Sequence, residues 1–255
     1  MKKILVLSAV LFAALAGWMT LNAGKAPEPT TAVAAADPAP APSIELAQAD
    51  TGSASARAQA APQAASGPTF VQGKDFRALP SAQPTSSSPD SVEVAEVFMY
   101  SCPHCYSLEP FVKSYKSSMP ANVSFVRIPA NFNAMARQHS RAFYAAEALG
   151  VTDEVHEAFF QEIHVRKNRL ANEDALVKFF ASQGVDGEEF RAAMNSFSVD
   201  TNLRRADDLA RRYKITSVPA LVVNGKYVTQ ASMAGSMPRL RQILDYLVAR
   251  ESGAL

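Results

Sequence analysis

Two cysteines, Cys102 and Cys105, are the only ones in the 255 residues, and they frame the tetrapeptide Cys102-Pro103-His104-Cys105. The apolar run VEVAEVFMY at 92–100 leads directly into them. A strand-like run that ends on C-x-x-C and gives way to a helix is the layout of a redox-active dithiol. The helix is expected to begin at Cys102, with Pro103 in its first position, where the missing N–H costs nothing. A thiolate at that point faces unpaired backbone N–H groups and the positive end of the helix dipole. Its pKa falls, and it becomes a good leaving group. His104 adds a donor or a positive charge beside Cys102. A stabilised Cys102 thiolate means a stabilised reduced form, and hence an oxidising disulfide.

Two plainer uses of the pair fare badly. As a structural staple it closes a very short loop, for which chain entropy gives only about 2 kcal/mol before strain is subtracted. As half of a zinc site it lacks partners, because no second C-x-x-C and no H-x-x-x-H follows, and structural zinc needs four ligands. No metal ligands are therefore expected, and His139, His156 and His164 read as ordinary surface or core histidines. A formal net charge of +1 offers no electrostatic footprint for nucleic acid. Phosphate-cradling glycine motifs are absent from the sequence.

The chain divides by composition. Residues 1–23 open with Met1, Lys2 and Lys3 and continue almost wholly apolar from Ile4. That is the layout of a secretory signal, with Ala14-Leu15-Ala16 as a cleavage site. The stretch 4–23 is also about the 20 residues that a bilayer span needs, so a retained membrane tether is the alternative. Both place the rest of the chain in an oxidising compartment outside the cytoplasm. Residues 24–66 are rich in Ala, Pro, Ser and Thr without apolar periodicity, and read as a disordered linker.

From 67 the pattern is that of a folded α/β chain. Residues 70–79 read as a short strand, 80–90 as a Pro/Ser-rich loop, and 92–100 as a central strand covered on both faces. Glu96 interrupts that strand. It is either at an exposed strand end or a buried proton relay near the thiols, with its pKa raised by burial. A helix over 103–118 contains Pro110, and within it Glu109 and Lys113 are spaced to pair. A strand over 123–128 follows; Arg127 within it is placed to meet Glu109. Residues 134–200 read as four helices: 135–149, 153–165, one opening at Asn172, and one opening at Asp186 with Glu189 in a capping-box arrangement. A helix over 201–214, a strand beginning at Pro219, an Asn224-Gly225 hairpin and a helix over 237–250 complete the chain.

The segments SCPHCYSLEP and SVPALVVNGKYVT, with the order of elements from 70 onward, resemble the thioredoxin fold with a helical insertion, and specifically the DsbA family. The resemblance implies an α/β architecture: thioredoxin-fold parts at 67–133 and 201–255, flanking an inserted helical domain at 134–200. It implies Cys102 as the exposed nucleophile, Cys105 as its buried partner and His104, with Pro103, as the pair that tunes Cys102. It further implies a cis Val218–Pro219 bond opposite the disulfide, with Val218 pairing to an extended substrate, and Glu96 as the family's buried carboxylate. The expected activity is thiol–disulfide oxidation of reduced, newly exported proteins in the periplasm, by a monomer. No small-molecule cofactor is needed, and a DsbB-like membrane protein is expected to reoxidise the pair. The alternatives are a reductase or isomerase on the same fold, a maturation factor with few clients, or a binding module whose redox pair is incidental. The linker before residue 70 is longer than the family's usual lead-in.

Overall fold

The computed structural model describes residues 70–255. Its elements in chain order are β1 (Arg77–Ala78), β2 (Val92–Phe98), α1 (Pro103–Ser118), β3 (Val123–Pro129), α2 (Ala134–Ala148), α3 (Thr152–His164), α4 (Glu173–Ser182), α5 (Gly187–Met194), α6 (Phe197–Arg212), β4 (Ala220–Val223), β5 (Tyr227–Thr229), α7 (Ala231–Ala234) and α8 (Met237–Glu251). The strands form one mixed sheet in the order β1-β5-β4-β2-β3. β2 runs parallel to β3 and antiparallel to β4, and the remaining pairings are antiparallel.

Every residue of β2 is buried, because both sides of the sheet are covered. Val92 and Val94 pack with Leu108, Val112 and Tyr115 of α1 and with Leu240, Leu244 and Leu247 of α8. Ala95 and Val97 belong to the core that the inserted helices build, with Phe143, Phe159, Phe180 and Leu203. The insertion is thus a layer on one sheet face, and the same hydrophobic core runs through it. This is the α/β thioredoxin architecture expected from the sequence.

Caps explain where several helices start. The Asn172 side chain accepts from Ala175 N, and Asp186 Oδ1 accepts from Glu188 N and Glu189 N at 3.0 and 2.8 Å, each satisfying orphan donors of a first turn. At the Asn224-Gly225 turn both residues have positive φ, 49° and 61°, the type I′ geometry that matches strand twist. A Cβ on Gly225 would lie 2.3 Å from the Gln83 carbonyl oxygen, so the position also excludes a side chain sterically.

Three expectations shift. Residues 70–79 supply only the two-residue β1, because 71–76 fold into a turn stapled by Gly73 N to Phe76 O at 2.7 Å and Asp75 N to Val71 O at 2.9 Å. The helix expected at 201 begins at Phe197, since Ser196 Oγ caps Val199 N at 3.3 Å. The boundary drawn between 200 and 201 therefore falls inside α6, which belongs to both parts. The short α7 had no counterpart in the sequence reading. The signal or anchor and the whole linker lie outside the described residues. Among the described residues, no helix is long and apolar enough to cross a membrane.

Candidate active site

β2 delivers the chain to the site, and α1 begins there. Cys102 is the N-cap of α1, with extended φ and ψ of −89° and 117°, and Pro103 occupies the first helical position. Pro103 and His104 are exposed, whereas Cys105 turns inward and is fully buried. Cys102 itself keeps only 8% of its surface. It is accessible at one edge rather than freely exposed, because the loop before β4 covers it. That loop carries the cis Val218–Pro219 peptide bond, and the Cys102 thiol sits 3.6 Å from the Val218 carbonyl oxygen. Val218 and Pro219 are half-buried. Beside them a groove of about 260 Å³ is lined by His104, Leu108, Val218, Pro219, Ala231 and Met237, among others. Its walls come from α1, the cis-proline loop, α7 and α8. On the other side of α1, a second groove is lined by Tyr106 and Pro110 together with Phe160 of the inserted α3.

The two thiols, both free, are electrostatically unlike. Cys102 is held down to about 6 from 9.0, first by a hydrogen bond from the Cys105 thiol, then by backbone N–H groups of Cys105 and His104 and by the His104 charge, which together outweigh desolvation. Cys105 is pushed up, first by donating that same bond, then by burial, with the Glu96 charge adding to it. One sulfur is a stable thiolate at neutral pH and the other is a thiol.

A measurable consequence follows from the Cys102 shift. Its folded pKa lies below its ordinary value, so the stabilisation it gives the reduced fold is complete above that ordinary value and is lost as pH falls through about 6. Iodoacetamide labelling of the reduced protein is expected to rise with a midpoint near pH 6 and level off above it. A midpoint above 8 would remove the thiolate from the account.

Under the thiols lies a buried polar chain. Glu96 is fully buried, which eliminates the exposed-strand-end alternative. β2 and β3 register Glu96 against Arg127, and Arg127 Nε donates to Glu96 Oε2 at 3.2 Å. Arg127 Nη2 donates to Glu109 Oε2 of α1 at 2.9 Å, the contact suggested by sequence. Glu109 does not pair with Lys113; Lys113 reaches across to Glu157 of α3 at 3.4 Å instead. Glu109 Oε1 lies 3.3 Å from His156 Nε2, and His156 Nδ1 lies 2.7 Å from the Tyr100 hydroxyl. Burial, opposed by Arg127 and reinforced by Glu109, raises Glu96 to about 7.

From sequence His156 reads as an ordinary surface or core histidine, and nothing points to Tyr100. The available signal was that His156 shares a helix face with Val155, Phe159 and Phe160, all buried, and a buried imidazole needs partners. His164 is also structural at this site: its Nε2 lies 2.7 Å from the Tyr100 carbonyl oxygen, and its ring stacks on Tyr106 at 4.9 Å. His139 Nε2 bonds to the carbonyls of Arg169 and Leu170. Among the described residues, no three metal-ligating side chains converge.

The family model for the DSBA-like thioredoxin domain matches residues 93–245, from β2 into α8. The chain belongs to the DsbA family. Over 191 residues it is 38% identical to the thiol:disulfide interchange protein DsbA of Pseudomonas aeruginosa, covering 75% of this chain and 90% of that one. With DsbA of Burkholderia cepacia it shares 41% identity over 191 residues, covering 75% and 88%. The crystal structure of Pseudomonas aeruginosa DsbA superposes with a TM-score of 0.69 at 38% identity, over 72% of this chain and 96% of that one. This DsbA-family chain is a thiol–disulfide oxidoreductase.

Proposed function

We propose that this protein oxidises reduced proteins exported to the periplasm, and that Cys102 is the sulfur its clients attack. The observation that carries this is the asymmetry of the pair: Cys102 held down to about 6 at the start of α1, Cys105 buried and pushed up beneath it. A client thiolate attacks Cys102 of the disulfide. The Cys102–Cys105 bond breaks, a client–Cys102 bond forms, and Cys105 leaves with the electron pair. Protonated Glu96 supplies the proton that the buried Cys105 sulfur requires. A second client thiolate then attacks the client sulfur of the mixed disulfide and expels the stable Cys102 thiolate. Two electrons pass from the client dithiol to the cysteine pair, so no small-molecule cofactor is called for. The reduced pair is returned to the disulfide by a DsbB-like membrane protein.

The remaining roles follow from position. Pro103 and His104 lie on the exposed rim where they tune Cys102, and Val218 before Pro219 presents backbone groups to an extended client segment. Residues 1–23 serve export or tethering and 24–66 act as a spacer, a reading supported by their charge and composition. The folded part works as a monomer and takes neither metal nor nucleic acid.

The deciding measurement is the redox equilibrium of the protein in glutathione buffers, read by thiol trapping on a gel. An oxidase keeps Cys102–Cys105 reduced until the buffer is strongly oxidising. A pair that stays oxidised in buffers as reducing as thioredoxin cannot pass its disulfide on, and the reductase reading would replace this one. Replacing Pro103-His104 by Gly-Pro removes the His104 charge and is expected to lower the potential by about 30 mV or more, since 30 mV corresponds to ~1.4 kcal/mol for this two-electron couple. An unmoved potential would remove His104 from the account.

A further inference from the structure

We propose that His156 and Tyr100 are positioning residues that hold Glu109 as an anion against Arg127, so that the one proton of the two buried carboxylates resides on Glu96, beside Cys105. The inference deepens the proposed role of Glu96 and rests on it.

Glu96 and Glu109 share one guanidinium, that of Arg127, in a region where the Arg127 side chain keeps only 10% of its exposure. Two carboxylate charges around one cation leave a buried excess of negative charge, which is relieved when one carboxylate keeps a proton. The donors decide which. Glu96 receives one, Arg127 Nε at 3.2 Å, and its Oε1 has no hydrogen-bond partner. Glu109 receives Arg127 Nη2 at 2.9 Å and faces His156 Nε2 at 3.3 Å. That last contact falls outside hydrogen-bond geometry, and both atoms are buried without a hydrogen-bond partner; in the proposed arrangement they serve each other.

Tyr100 makes the imidazole face the right way. Its hydroxyl lies 2.7 Å from His156 Nδ1, and in the proposed arrangement it is the donor. A neutral imidazole that accepts at Nδ1 carries its proton on Nε2, and Nε2 points at Glu109. His156 is kept neutral first by burial. Glu109 is held below the usual carboxylate range, because His156 and Arg127 outweigh its own desolvation. Glu96 goes the other way, because its complete burial outweighs Arg127 and the Glu109 charge adds to it.

The other charges facing this chain are accounted for. Lys113 and Lys116 of α1 pair with Glu157 and Asp153 of α3 at 3.4 and 3.7 Å, bordering a groove of about 390 Å³ that exposes one edge of Glu109 and His156. These pairs are largely solvated and nearly cancel. From α2, His139 lies edge-on to Tyr100, with its Nε2 engaged by backbone carbonyls, and Glu147 acts on Tyr100 only through space. Neither touches a carboxylate of the pair.

The test is a carbon-13 NMR titration of the glutamate side-chain carboxyls in the reduced full chain, with wild type, His156→Phe and His156→Gln compared. In wild type Glu96 is expected to titrate near pH 7 and Glu109 below the usual carboxylate range. His156→Phe removes the donor, so Glu109 should move up and Glu96 down, each by about half a unit or more. His156→Gln returns an N–H to the Nε2 position and should restore both midpoints. A Glu96 midpoint unmoved by His156→Phe overturns the proposal, as does a His156→Gln variant that behaves like His156→Phe. Should His156→Phe not fold, nitrogen-15 spectra of the wild-type imidazole decide: a neutral Nε2–H tautomer from pH 5 to 8 supports the proposal, and an Nδ1–H or protonated ring overturns it. Glu96→Gln separates the underlying reading. If Glu96 has no role in transfer, that variant leaves the pH profile of disulfide donation unchanged, whatever His156 does to the titrations.

Discussion

Replacing Cys105 with Ser is expected to stop turnover and to leave the protein covalently attached to its clients. Cys102 keeps its place at the start of α1 beside Val218, so its thiolate still attacks a disulfide in an oxidised client and forms a mixed disulfide. Resolution then depends on a thiol from solution. In the proposed mechanism the resolving sulfur is Cys105, within hydrogen-bonding reach of Cys102. An internal nucleophile so placed competes at an effective concentration far above any free thiol, so adducts of the variant should live roughly 10³-fold longer or more. A non-reducing gel after incubation with an oxidised client reads this directly. Cys102→Ser should trap nothing, since the remaining Cys105 is fully buried and kept protonated. Equal trapping by both variants would reverse the assignment of nucleophile and partner.

Replacing Arg127 with Met should cost the fold about 3–5 kcal/mol, the range for breaking a buried ion pair from one side. The methionine keeps most of the apolar stem, so the loss reports the charge. Glu96 and Glu109 would then share a buried site without a cation. Their folded pKa values rise above those of the unfolded chain, so the penalty is absent when both are protonated and grows as pH rises through the raised values. Urea unfolding of the reduced variant should show a far larger deficit at pH 8 than at pH 5. A deficit below about 1 kcal/mol that does not change with pH would mean that solvent already screens the pair.

Much of the scaffold was legible because local signals and the global fold agree. Val92–Phe98 is continuously apolar apart from its two glutamates, and it became the central strand. Pro103 at a first helical turn, Asn172 and Asp186 before their helices, and Asn224-Gly225 between strands each state a backbone geometry in one or two residues. The misses are equally local. Gly73 and Asp75 turn the chain within the stretch that reads as a short strand. Ser196 starts α6 earlier than the apolar stripe implied, because a serine cap is cheap in sequence terms and easily passed over.

The cysteine pair, its place at a helix start and the proline-bearing loop are legible in the chain, since each rests on residues adjacent in it. The partners of Glu96 follow from packing alone. Glu96 comes from β2, Arg127 from β3, Glu109 from α1, His156 from α3 and Tyr100 from the turn after β2, and only Glu96 and Tyr100, four residues apart, are near one another in the chain. Which charges meet in a low-dielectric interior depends on strand register and helix packing. Those are set by the whole core, so no local pattern announces that Lys113 turns outward to Glu157 while Glu109 turns inward to Arg127 and His156.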